Sequence, residues 1–273
     1  MGRKNARSQP SRRSPSRQSS LAAQKKDILE SPGWVDNGLD FCITHGPWSE
    51  WEQRMLKELW LGSPCHFRAA LNYSLKVIDG PWLGLENWLL ANMQGCDLVE
   101  PDSFFRLAFV RYTRSHEGSP TLQDMILTQC LPAAAFAYAA YGTRRRFQAA
   151  ESLILSGDTT ARPALCPGVC CFLDSLQWAS PWESQAVTYA RLFLNSGWPE
   201  LEDKMAQGKC HPQVAYEYAV NVLKRPLSPP IENWLTLESF DAKGNEYRRK
   251  YSAFVASMQA QSFQSNAAPS PPT

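Results

Sequence analysis

Apolar residues recur at helical spacing through the middle of the chain. Trp51, Met55 and Leu59 follow one another at intervals of four positions, and Leu85 and Leu89 repeat that interval. This spacing places the apolar side chains on one face of a helix. Strand patterns are scarce, because no Asn-Gly or Asp-Gly turn lies between alternating apolar and polar stretches. The pattern therefore predicts an all-α protein.

Glycine, proline and serine residues divide this pattern into segments of about 10 to 14 residues, each long enough for one helix. Short joins between helices of this length favour antiparallel neighbours. The prediction comprises an opening helix at 48–60, the pairs 67–77 with 82–93, 102–112 with 120–129, 132–141 with 146–156, and 168–179 with 182–195, and single helices at 212–224 and 244–259.

The chain also contains an internal repeat. Gly46-Pro47-Trp48 recurs as Gly80-Pro81-Trp82 about 34 residues later, and a third Pro-Trp pair stands at Pro181-Trp182. A shared Tyr-Ala core, Tyr189-Ala190 and Tyr218-Ala219, marks a further partial copy. Proline suits the first turn of a helix, where its missing N–H costs nothing. A period near 33 residues with two helices per unit is typical of a helical solenoid.

Several segments of this repeat resemble ankyrin repeats. They are Ala139–Gly142 followed by Phe147–Asp158, together with Ala186–Gly197 and Trp88–Leu98. The resemblance implies a short right-handed α-solenoid of about five stacked helix pairs, with a partner on its concave face beside loops near Cys96–Asp102, Gly157–Pro167 and Gly197–Asp203. The Thr-Pro-Leu-His opening of ankyrin repeats is missing, so another array of helix pairs is the alternative.

Composition sets the boundaries of this array. The first 26 residues carry eight basic and no acidic side chains among Arg, Ser, Pro and Gln, a composition typical of disorder. The predicted organisation is a disordered basic tail at 1–26, an N-terminal helical cap at 27–66, the repeats at 67–225, a C-terminal capping helix at 226–260 and a disordered tail at 261–273.

Five arginines fall at predicted turns between helices. They are Arg111, Arg114, Arg144, Arg145 and Arg146. Equivalent turns line up in a stack of helix pairs, so the five would form one stripe. Arginine binds carboxylates and phosphates through paired hydrogen bonds, which predicts a binding surface for an acidic protein partner. The alternative is that these bases only offset the helix dipoles.

The basic tail offers a second kind of partner. Its charge would attract nucleic acid in a salt-dependent manner, although it has no aromatic residue to stack on bases. A merely solubilising terminus is the alternative. No apolar run approaches the ~20 residues of a membrane span, so no membrane insertion is predicted. Without a secretory signal, a cytoplasmic location with buried, reduced cysteines is predicted.

Catalytic and metal-binding patterns are weak. Cys42 and His45 with Cys65 and His66 would count to four zinc ligands, but separate thiols and histidines are the simpler interpretation. No nucleophile elbow, phosphate-binding glycine loop or dinucleotide fingerprint occurs. The prediction is a non-catalytic interaction or scaffold module without cofactor or metal. An enzyme with an unrecognised helical active site is the remaining alternative.

Overall fold

The computed structural model describes residues 16–59, 63–92, 104–156, 181–237 and 240–266. Every regular element in these ranges is helical, which confirms the all-α prediction. The helices are α1 Ser16–Glu30, α2 Trp34–His45, α3 Ser49–Leu59, α4 Pro64–Tyr73, α5 Leu83–Asn92, α6 Phe104–Ser115, α7 Pro120–Thr128, α8 Pro132–Ala137, α9 Glu151–Leu155, α10 Pro181–Phe193, α11 Pro199–Ala206, α12 Pro212–Tyr218, α13 Pro229–Leu237 and α14 Ala242–Asn266.

Three helices end in a π-helical turn and one begins with a 3₁₀ turn. The π-helical turns are Ser74–Ile78 after α4, Tyr138–Thr143 after α8 and Ala219–Leu223 after α12. Gln148–Ala150 forms the 3₁₀ turn before α9. Seven of these helices begin at a proline, as the first turn allows.

The chain forms two compact units, Met1–Gly80 and Pro81–Thr273. In the first, α2 packs against α1 and α4. Gly38 of α2 lies so close to Trp51 that an added Cβ would sit 2.1 Å from the indole ring. The glycine therefore permits the close approach of α2 to α3.

Helix α1 corrects one sequence prediction. Residues 16–26 are helical rather than disordered, while residues 1–15 of the predicted tail lie outside the described ranges. The helix packs against α2, and the Lys25 ammonium lies over the rings of Phe41 and Trp48. Contacts of this kind between a cation and an aromatic ring stabilise the packing of α1 against α2. The basic composition of the segment does not show that its lysine has aromatic partners.

In the second unit, later helices pack against earlier ones in succession. Helix α10 packs against both α8 and α12, and α12 packs against α14. Three sequence predictions need correction here. Helix α11 occupies most of the loop predicted at Gly197–Asp203, α13 was not predicted, and α14 continues to Asn266 into the predicted tail. The predicted helix at 168–179 lies outside the described residues.

Six buried tyrosines tie the start of one helix to the next helix of the chain. We call these tyrosine clamps: Tyr73, Tyr112, Tyr138, Tyr189, Tyr218 and Tyr251. In five clamps the hydroxyl accepts a hydrogen bond from a backbone N–H at a helix start, namely that of Trp48, Trp82, Phe147, Trp198 or Leu227. In the sixth, Gln123 donates to the Tyr138 hydroxyl at 2.6 Å.

The clamps also include a glutamate one turn beyond the backbone donor. Tyr73, Tyr189, Tyr218 and Tyr251 donate to Glu52, Glu151, Glu202 and Glu232, and Tyr112 lies beside the buried carboxylate of Glu86. The clamps join α3 with α4, α5 with α6, and so on to α13 with α14. The sequence prediction grouped the helices one step out of phase with these pairs.

Candidate anion-binding recess

The five predicted arginines lie around the junction of α6 and the π-helical turn after α8. These two elements pack together closely because Gly142 faces Thr113. A Cβ at position 142 would lie 2.7 Å from the Thr113 Oγ1, well inside van der Waals contact. The clamps of Tyr112 and Tyr138 anchor the two elements on either side of this contact.

An open recess of about 440 Å³ lies above the junction. We call it the arginine recess, and its lining residues are Thr113, Arg114, Glu117, Gly142, Thr143, Arg144 and Arg145. Three of the five predicted arginines therefore share one recess with a single acidic side chain, Glu117. The excess of guanidinium groups makes the recess suited to an anion.

The backbone holds Arg144 in an uncommon conformation. Its φ of 55° lies in the left-handed region, where it ends the π-helical turn. The next residue is fixed as well, because the N–H of Arg145 donates to the Thr143 hydroxyl at 3.3 Å. A residue other than glycine in the left-handed region carries strain. Asp79 and Lys224 take the same conformation at the ends of the other two π-helical turns, so this conformation belongs to the helix ending.

The three guanidinium groups differ in their bonding. Arg114 donates from Nε to the carbonyl of Tyr141 at 3.1 Å, so it partly serves to neutralise a helix end. Arg114, Arg144 and Arg145 form no ion pair with any carboxylate of the described residues. Their charge is therefore available to a ligand.

The other two predicted arginines lie outside the recess lining. Arg146 forms a paired salt bridge with Glu151, at 2.6 Å and 3.0 Å. Glu151 also accepts from the Tyr189 clamp, so Arg146 contributes to the fold at that point. Arg111 is exposed on α6, one turn before Arg114.

The candidate zinc ligands Cys42, His45, Cys65 and His66 are not brought together as a metal site. No three His, Cys, Asp or Glu side chains are grouped to hold a metal ion in the part of the chain that the structure describes. Burial raises the pKa of Cys42 to about 11 and that of Cys210 to about 12, whereas a nucleophilic cysteine needs a lowered pKa. Burial also lowers the pKa of the adjacent His211.

The predicted burial of cysteines is confirmed for Cys42 and Cys210 but is wrong for Cys65 and Cys130, which are exposed. The tryptophans that carried the repeat, Trp48, Trp82 and Trp182, are all buried, as packing residues should be. No helix among the described residues is both long and apolar enough to cross a membrane.

Comparison with known proteins gives no relative for this chain. No known protein family, curated protein or solved structure matches it. The resemblance to ankyrin repeats therefore stays a prediction.

Proposed function

We propose that the chain is a non-catalytic interaction module that binds an acidic protein partner at the arginine recess. The single observation that carries the proposal is the convergence of Arg114, Arg144 and Arg145 on one open recess, where none of them forms an ion pair with a carboxylate of the described residues. The three guanidinium groups are exposed and repel one another, and an anionic ligand in the recess would offset that repulsion.

The helix arrangement supports the scaffold part of this proposal. Helix pairs joined by tyrosine clamps, with α8, α10, α12 and α14 packed in succession, are what a short stack of repeats requires. Such a stack presents turns side by side, and the arginine recess lies at two of these turns. The interaction module is proposed to act in the cytoplasm, as the sequence predicts.

Affinity capture with the full-length chain tests the proposal. Nuclease-treated lysate at physiological salt is passed over wild type, over Arg144→Glu with Arg145→Glu, and over Arg248→Glu with Arg249→Glu. The last variant is a control for the change of charge, because it reverses two adjacent arginines on α14, of which Arg249 is exposed and Arg248 is half-buried. A set of proteins retained by wild type and by the control, and lost with the recess variant, is expected.

Two outcomes would overturn the proposal. Retention of the same proteins by the recess variant would show that the arginines do not bind the partner. Recovery of binding only when nucleic acid is left intact would move the function to nucleic acid and to the basic N-terminal segment.

A further inference from the structure

Helix α6 presents an exposed stripe that leads into the arginine recess. Leu107, Arg111 and Arg114 are spaced by four and three residues and are exposed, whereas Phe109 and Tyr112 are buried. Leu107 keeps 54% of its surface exposed, which is high for a leucine on a packed helix. One aliphatic side chain and two arginines therefore share the outward face of α6.

The length of this stripe matches a short peptide. Leu107 and Arg114 are separated by about 10 Å along the helix axis, at 1.5 Å per residue. An extended peptide covers that distance in about three residues. A ligand that reaches both would carry its apolar and acidic groups about three to four positions apart.

The stripe favours a peptide over nucleic acid. The large apolar side chains exposed in the described part of the chain are Leu21, Ile43, Leu75, Leu83, Leu107, Leu192 and Leu237. None of them is aromatic, so none can stack on an unpaired base. An aliphatic contact beside guanidinium groups instead suits a peptide with one apolar and several carboxylate side chains.

We infer that the arginine recess binds a short acidic peptide segment whose aliphatic side chain packs on Leu107. The inference rests on the proposed function, since the same arginines hold the acidic residues of the partner. Arg114, Arg144 and Arg145 bind the carboxylates, Arg111 lies along the path, and Leu107 selects for an aliphatic residue. Selectivity among acidic segments then comes from Leu107, whose contact is independent of charge.

Selection from a random peptide display library tests this inference. The bait is the full-length protein at physiological salt, as wild type, as Arg144→Glu with Arg145→Glu, and as Leu107→Ser. Peptides enriched by wild type are expected to carry a run of Asp or Glu with Leu, Ile or Val about three to four positions away. Leu107 is exposed, so its serine variant should keep the wild-type melting temperature.

An enriched peptide is then synthesised with and without its aliphatic residue. Wild type should bind the intact peptide about five- to tenfold more tightly than Leu107→Ser does, the size expected for one partly buried aliphatic contact. The peptide in which serine replaces the aliphatic residue should bind both proteins equally. The recess variant should bind neither peptide measurably.

The outcomes of these experiments distinguish a failure of the inference from a failure of the proposed function. Enrichment of acidic peptides without an aliphatic preference, and with equal binding by Leu107→Ser, would overturn the inference and leave the recess as an anion site. Enrichment that persists in the recess variant would overturn both. Absence of any enriched acidic peptide would overturn the inference, while the capture experiment would still decide the proposed function.

Discussion

The Tyr189 hydroxyl accepts a hydrogen bond from the Phe147 backbone N–H at 2.9 Å, although the two residues are 42 positions apart. The same hydroxyl donates to Glu151 at 3.2 Å. Tyr189 therefore joins α9 to α10 across a long intervening segment. Four of the other five clamps repeat the backbone donor and the neighbouring glutamate, and the fifth, Tyr138, joins its helix pair through Gln123. We therefore regard a clamp tyrosine as the structural signature of each helix pair.

Removing one clamp hydroxyl should destabilise the fold measurably. Tyr189→Phe leaves the buried N–H of Phe147 without its acceptor, which should lower the free energy of unfolding by about 1–3 kcal/mol. Tyr216→Phe is the control, because the Tyr216 hydroxyl makes no hydrogen bond with the described residues. Chemical denaturation gives both values. Equal stabilities of the two variants would show that the clamps contribute nothing.

Alkaline pH should weaken the fold through the same tyrosines. Burial raises the pKa of Tyr189 to about 12 and raises those of Tyr73, Tyr112, Tyr218 and Tyr251 above the ordinary value of 10. The folded state then holds protons that the unfolded state releases, so stability falls as the pH rises beyond about 10.

Denaturant unfolding across this pH range, with near-ultraviolet absorbance to follow tyrosinate, measures the effect. The absorbance of the clamp tyrosines should rise together with unfolding rather than before it. A free energy of unfolding that stays constant from about pH 9 to pH 11 would contradict the pKa shifts.

A methyl group at position 142 should disturb the junction beneath the arginine recess. Gly142→Ala places a Cβ 2.7 Å from the Thr113 Oγ1, and overpacking of this kind costs about 1–3 kcal/mol. Gly142→Ala combined with Thr113→Ala should be less destabilised than the sum of the single variants, since the closest contact, with the Thr113 Oγ1, is removed while the contact with the Thr113 Cβ at 2.9 Å stays. Strict additivity in denaturation experiments would mean that the two residues do not meet.

Arg144 should tolerate asparagine better than valine. The φ of 55° suits asparagine, whereas a β-branched residue there costs about 1–2 kcal/mol. Arg144→Asn should therefore match or exceed the stability of wild type while removing one guanidinium from the recess. If Arg144→Val proves as stable as Arg144→Asn, the left-handed conformation does not persist in solution.

The sequence predicted helix positions well because apolar periodicity reports buried faces directly. Helices α3, α5, α7 and α10 begin and end within a few residues of their predicted bounds. The internal repeat was harder to align. The Pro-Trp motif at Trp182 opens α10, a second helix of a pair, whereas the true equivalent of Trp82 is Trp198, whose N–H binds Tyr218.

The recess itself was only partly predictable. The arginines stand out as charged residues at turns, but Thr113, Gly142 and Thr143 join them only through packing between distant segments. Helices commonly end at a glycine in the left-handed conformation. Asp79, Arg144 and Lys224 take the left-handed conformation instead, each six residues after a clamp tyrosine. The six-residue spacing predicts these left-handed positions only when the clamp tyrosines have been identified, and their hydrogen bonds are visible only in the structure.

The affinity of the principal captured partner for defined variants tests the central claim most directly. Titration calorimetry at physiological salt would compare wild type, Arg144→Asn with Arg145→Gln, and the control Arg248→Gln with Arg249→Gln. Loss of two charge-assisted contacts predicts binding weaker by tenfold or more for the recess variant alone. Equal affinities for all three proteins, with unchanged melting temperatures, would contradict the assignment of the arginine recess as the binding site.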